Sequence, residues 1–427
     1  MRRAALGIVV GLGSIVAPHA DTLKLTSVPV GIEQRTNANV SVDARRDLVA
    51  IAWSATGSGA TDVYAAVSRD GGRTFAPPAR VNDVPGAANV GGEQPPRVAI
   101  VEHDGPSWID VMWTAKSRAG TRLMTSRSID GGRSFARASI VPGSDAKGNR
   151  GWESMTAMAP GRVLRIWLDH RGLADESGGA AMPHNGQAHT GHGDADGVSR
   201  AQLSKLYFSG SDDTAAGPRA IASGVCYCCK TALATARDGS IYAAWRHVYP
   251  GNVRDIAFTM SKDGGRTFAA PVRVSNDDWV LDGCPENGPS IAADAKGTVH
   301  IVWPTLVKGS GADPALALFY ATTSDGKTFS PRKQIPTDGT PRHPQVAVNR
   351  EGRVLIAWDE QLAGSRRVVV DEATPADGGA RFNNLAIVDG ERDDYPAVAG
   401  VEHGFVVAYT SSTKTDSTIR VLNLAIE

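Results

Sequence analysis

A short apolar segment ending in an aromatic residue recurs along the chain. The copies are LVAIAW ending at Trp53, WIDVMW at Trp113, RVLRIW at Trp167, SIYAAW at Trp245, TVHIVW at Trp303, RVLIAW at Trp358 and GFVVAY at Tyr409. Successive anchors lie 60, 54, 78, 58, 55 and 51 residues apart. Short runs rich in β-branched and aromatic residues, bounded by Gly, Asp and Asn, predict strands. A second apolar run and a polar turn precede most anchors, as in PQVAVNREGRVLIAW. A unit of this length accommodates one four-stranded sheet, which cannot bury both faces alone. Stacking such units into a ring covers them.

Downstream of the anchors a second signature appears. It reads Ser68-Arg-Asp70-Gly-Gly72-Arg-Thr74-Phe75, then Ser128-Ile-Asp130-Gly-Gly132-Arg-Ser134-Phe135, then Ser261-Lys-Asp263-Gly-Gly265-Arg-Thr267-Phe268. Degenerate copies occur at Asp325-Gly326-Lys327-Thr328-Phe329 and at Asp377–Phe382. Physically this is a hairpin device: the Asp accepts hydrogen bonds from turn N–H groups, and Gly supplies a positive φ. The pattern is the Asp box, S-x-D-x-G-x-T-F/W, and over residues 21–427 the chain resembles the sialidase-like, or BNR-repeat, β-propellers. The resemblance implies an all-β chain forming a single propeller of four-stranded blades, with the boxes on the outer rim. Seven anchors favour seven blades, whereas sialidases usually have six, the alternative count. Only three clear strands follow the last unit's start, so Leu23–Val30 (LKLTSVPV) is expected to complete that blade and close the ring.

Composition narrows the function. Lys and Arg number 45, as do Asp and Glu, so the net charge is zero. That balance excludes the electrostatic footprint of a nucleic-acid binder. Met1-Arg2-Arg3, an apolar stretch from Ala4 to Ala17 and a small residue at Ala20 read as a secretory signal peptide over residues 1–20. No later segment approaches the 18 or so apolar residues of a membrane span. The expected product is an exported monomer, periplasmic or secreted, whose partner is a small-molecule or glycan ligand or another exported protein.

In a propeller, the loop entering each inner strand and the loop leaving each second strand share one face. That places Gln94, Arg97, Trp152, Glu153, Lys230, Glu286, Asn287, Arg342, His343, Asp394 and Tyr395 around the central opening. Asp169, His170, Arg246, His247, Asp359 and Glu360 join them from behind the anchors. Resemblance to sialidases implies three arginines on a substrate carboxylate, here Arg97, Arg246 and Arg342. It also implies Tyr395 as nucleophile, Glu153 or Glu360 as its partner, and Asp169 as acid/base. The Arg-Ile-Pro motif of sialidases is missing: the corresponding region reads Glu33-Gln34-Arg35-Thr36-Asn37-Ala38-Asn39. The same polar groups also suit a ligand-binding face or a docking platform without catalysis.

All four cysteines fall in two places, Cys226-Tyr227-Cys228-Cys229 and Cys284. Aligning the fourth and fifth anchors maps Cys226 onto Cys284, on the inferred ligand face. In an extended segment, Cys226 and Cys228 would share a side and Cys229 would point away. A Gly-rich insertion over residues 173–200 accounts for the 78-residue spacing and carries Met182, His184, His189 and His192. A structureless loop of that length is expected to reach the cysteines. Sulfur and imidazole donors together suit copper or zinc. Alternatively, a Cys226–Cys284 disulfide staples neighbouring blades, or the thiols stay free for exchange.

Overall fold

A computed structural model describes all residues except 1–22, 159, 177–193, 213–216, 282, 284, 308–313, 377–378 and 427. The described chain is nearly all β. Five four-stranded antiparallel sheets begin with the strands Thr36–Arg45, Arg97–His103, Arg150–Met158, Ala232–Thr235 and Ser290–Ala293. The remaining strands form one eight-stranded sheet. Its two halves begin at Thr340–Val348 and Arg392–Val401, and among the described residues their ladders join at the parallel pair Arg366 and Arg392. Leu23–Val30 pairs antiparallel with Ser417–Ile426, with Leu23 opposite Ile426 and Val30 opposite Ile419. The first strands touch in sequence order, and Thr36–Arg45 also touches Arg392–Val401.

Each aromatic anchor sits on a second strand and is almost fully buried: the six tryptophans are at most 1% exposed and Tyr409 is 3% exposed. A buried indole N–H usually finds an acceptor, and several of these do. Trp167 donates to Asp169 at 3.2 Å, Trp358 to Glu360 at 3.2 Å and Trp303 to Asp277 at 2.7 Å.

The Asp boxes form the turns between third and fourth strands. Ser68 Oγ donates to Asp70 at 2.6 Å, and Asp70 accepts from the Arg73 and Thr74 backbone N–H groups and from Thr74 Oγ1. The boxes at Asp130, Asp263 and Asp325 repeat this network. The closing Gly packs on the preceding sheet. A Cβ on Gly265 (φ +87°) would sit 2.5 Å from Phe208, and one on Gly132 (φ +88°) 2.5 Å from Val67. The box phenylalanines bridge the same boundary, with Phe268 5.0 Å from Phe208 and Phe329 5.3 Å from Phe258 between ring centroids. Asp377 and Gly378 lie outside the described residues.

The insertion departs from the expected structureless loop. Its ends are helical, Arg171–Glu176 and Asp194–Leu203. Ala201 is fully buried, and Val198 packs on the cluster that holds Cys226, Cys228 and Cys229. Those apolar contacts supply the burial that a Gly-rich segment alone lacks. Among the described residues no helix is long and apolar enough to cross a membrane.

Candidate functional site

Four first strands carry a β-bulge whose extra residue has a positive φ: Asn39 (59°), Trp152 (53°), His343 (50°) and Tyr395 (51°). Such a backbone costs roughly 1–3 kcal/mol at each non-Gly residue and re-aims the side chain. The two last bulges bring His343 and Tyr395 together across adjoining halves of the large sheet. Their rings stack with centroids 3.9 Å apart and planes inclined by 21°.

Three carboxylates frame this pair. His343 Nδ1 lies 2.6 Å from Asp359, and Asp359 also accepts from the Tyr395 backbone N–H at 3.3 Å. His343 Nε2 lies 3.8 Å from Glu93, whose other oxygen accepts the Lys230 N–H at 3.2 Å. Glu286 sits near Glu93, His343 and Arg342, and burial raises its proton affinity. Burial, followed by the charges of Glu93, Asp359, Asp394 and Glu286, pushes the Tyr395 phenol well above its ordinary range. Tyr395 therefore keeps its proton at neutral pH. The ring fits because residue 92 is glycine: a Cβ there would lie 2.1 Å from Tyr395 Cζ.

Cations complete the well. Arg97 Nε donates to the Glu153 carbonyl at 2.7 Å, while its buried Nη2 has no hydrogen-bond partner among the described residues. Burial lowers the pKa of both Arg97 and Lys230 and raises that of Glu153, whose carboxyl lies 3.4 Å from Thr114 Oγ1. Arg342 is half-buried, its charge acts on Glu286, and its side chain makes no hydrogen bond among the described residues. Beside the pair, a cavity of about 790 Å³ is lined by Asn39, Gly364, Arg392, Asp394, Tyr395 and Lys414 among others. Its size lies within the range of ligand pockets.

Other expected site residues are engaged elsewhere. Arg246 donates to the carbonyls of Asn287, Pro304 and Arg254. Asp169 is bound by Arg150 at 3.1 Å, by Arg171 at 2.8 Å and by the Trp167 indole. Burial opposes its charge, but the Arg171 hydrogen bonds and the Arg150 charge outweigh burial and hold it below the ordinary carboxylate range. Glu360 accepts from Trp358 and Arg367. Glu93 and Gly92 were not singled out by the sequence pattern. Their signal is the Gly91-Gly92 pair a few residues before an inner strand, where a side chain from elsewhere approaches the backbone closely.

A separate cluster lies between the third and fourth sheets. The Cys226–Cys229 segment turns at Tyr227 and Cys228 rather than running extended, so Cys229 returns to Cys226. Cys226 and Cys229 are free thiols with Sγ atoms 3.7 Å apart. Cys228 is disulfide-bonded, with its Sγ 3.7 Å from Cys226. The staple expected at Cys226 is thus absent. Arg254 Nη1 donates to Cys226 Sγ at 3.1 Å. Cys284, Met182, His184, His189 and His192 lie outside the described residues.

No protein-family model and no curated protein matches the sequence. Solved structures do match in fold. A protein of unknown function from Dyadobacter fermentans is 16% identical, covering 95% of this chain and 99% of its own, with a TM-score of 0.51. A PL25 ulvan lyase is 10% identical over 92% of this chain and 94% of its own, with a TM-score of 0.56. The polysaccharide lyase Uly1 is 10% identical over 93% and 92%, with a TM-score of 0.53. At these identities the likeness establishes the propeller-type fold shared with glycan-active enzymes, and nothing finer.

Proposed function

We propose that the chain is an exported, sialidase-like Asp-box propeller of seven blades that cleaves an acidic polysaccharide by β-elimination, with His343 as base and Tyr395 as acid. The observation that carries this reading is the His343–Tyr395 stack within a well of opposed charges. Asp359 fixes the imidazole through Nδ1, leaving Nε2 to take the proton next to a uronate carboxylate. Glu93, 3.8 Å away, stabilises the imidazolium that results. Arg342 and Arg97 bind the substrate carboxylate as negative charge builds on it. The phenol of Tyr395 gives its proton to the departing glycosidic oxygen. A seven-blade ring is supported by the seven buried anchors, by the Leu23–Val30 pairing and by the contact of the first strand with the last.

The same residues could be read as a sialidase site with Tyr395 as nucleophile. A nucleophilic phenol must lose its proton, and burial together with the carboxylates around Tyr395 opposes that loss. Incubation with uronate-containing polysaccharides, following the ultraviolet absorbance of the unsaturated uronate product, tests the elimination reading. Tyr395→Phe should cut the signal by roughly 10² to 10⁴. Release of free sialic acid from a sialoside, without that absorbance, would overturn it.

A further inference from the structure

The sulfur cluster at the boundary of the third and fourth sheets belongs to none of this chemistry. Among the described residues it is the one group of three metal-donor side chains whose ligand atoms all lie within 4.8 Å of one another. All three cysteines are buried, at 1%, 6% and 2% exposure for Cys226, Cys228 and Cys229. Their surroundings are apolar, including Trp152, Leu168, Val225, Trp245 and Val248. Metal bound there would be closed off from water.

We propose that Cys226, Cys228 and Cys229 form an all-sulfur site for Cu(I), opened by reduction of the Cys228 disulfide. Two sulfurs, on Cys226 and Cys229, are already free thiols 3.7 Å apart, and the third lies 3.7 Å from Cys226. Soft thiolates select Cu(I). Three thiolates around a monovalent ion leave a net negative charge, and the buried guanidinium of Arg254, 3.1 Å from Cys226 Sγ, offsets part of it. Asn252 Oδ1 and the Leu281 carbonyl hold that guanidinium in place.

The redox step balances with an external dithiol. The dithiol supplies two electrons and two protons, the S–S bond of Cys228 breaks to leave the Cys228 thiol and the thiol of its partner, and the reductant closes its own disulfide. Cu(I) then displaces the protons of the three coordinating thiols. The site thereby couples metal uptake to the redox state of the compartment.

The test uses the full chain, with and without dithiol reduction, titrated anaerobically with Cu(I) against a chromogenic Cu(I) chelator. The expected result is one tightly held Cu(I) per reduced chain and at least tenfold weaker retention before reduction. X-ray absorption on the unsubstituted reduced protein should give a sulfur-only shell of three, a reading independent of any variant's folding. Cys229→Ser should lose one sulfur from that shell. Failure to retain Cu(I) against the chelator, equal retention before and after reduction, a shell containing nitrogen or oxygen, or preference for zinc would each overturn the assignment.

Discussion

The Tyr395 ring lies flat on the His343 imidazole, 3.9 Å between centroids, although the two residues come from different halves of the large sheet. Each is held at a positive-φ bulge, and both are tied to Asp359, one by a ring nitrogen and the other by its backbone N–H. Tyr395 also lines the adjoining cavity of about 790 Å³. That arrangement suits proton transfer to one side of a substrate and from the other.

Tyr395→Phe removes the phenol and keeps the stack. Turnover should fall by roughly 10² to 10⁴, while substrate affinity and melting temperature remain near those of the parent. Parallel steady-state kinetics and thermal unfolding check this. A variant that binds poorly or melts early would point to a structural role for the hydroxyl.

Gly92→Ala reaches the same pair from the other side. The new methyl would occupy space 2.1 Å from Tyr395 Cζ, so the ring must leave His343. Activity should be lost with the fold retained. Near-ultraviolet circular dichroism, sensitive to the displaced tyrosine, together with unchanged far-ultraviolet spectra, reports the difference.

The Arg342 guanidinium has no hydrogen bond among the described residues to give up when it binds a carboxylate. Arg342→Gln should therefore raise KM by about tenfold or more, corresponding to the roughly 1.5–3 kcal/mol of a charge-assisted hydrogen bond. The penalty should be absent on a polysaccharide whose uronates have been esterified. An equal penalty on both substrates would remove Arg342 from carboxylate recognition.

At the opposite rim, the Asp boxes should govern stability alone. Gly265→Ala forces a side chain into a φ of +87° and against Phe208, so about 1–3 kcal/mol should be lost in denaturant unfolding. Asp70 gives the pH dependence. Slight burial opposes its charge, but hydrogen bonds from Ser68, Thr74 and Arg73 lower it from 3.8 to about 2. Because the folded value lies below the unfolded one, its contribution is complete above about pH 3.8 and fades as pH falls toward 2. The stability gap between the parent and Asp70→Asn should shrink across that window. A gap independent of pH would deny the carboxylate its role.

Much of the architecture is legible in the chain because burial acts on residue type. Trp53, Trp113, Trp167, Trp245, Trp303, Trp358 and Tyr409 end apolar strands, and all are buried on second strands. The Asp boxes are legible because a turn that saturates one carboxylate admits few sequences. The site is less legible, since its decisive contacts join residues far apart in sequence. Nothing about Trp152, His343 or Tyr395 as residue types announces a positive φ, yet that conformation aims them. The acid role implied for Asp169 falls on a carboxylate already taken by Trp167, Arg150 and Arg171, an arrangement visible only once the sheets are packed. Cys229 illustrates the local version: an extended segment would point it away, and a turn at Tyr227 and Cys228 brings it back to Cys226.

Mass spectrometry of the oligosaccharides released from a uronate-rich polysaccharide separates the chemistries most directly. Elimination by His343 and Tyr395 adds no water, so each new non-reducing end should be one water lighter than a hydrolysis product, and Tyr395→Phe should yield roughly 10² to 10⁴ times less of it. Fragments carrying the added water, or equal yield from Tyr395→Phe, would contradict the proposed acid–base pair.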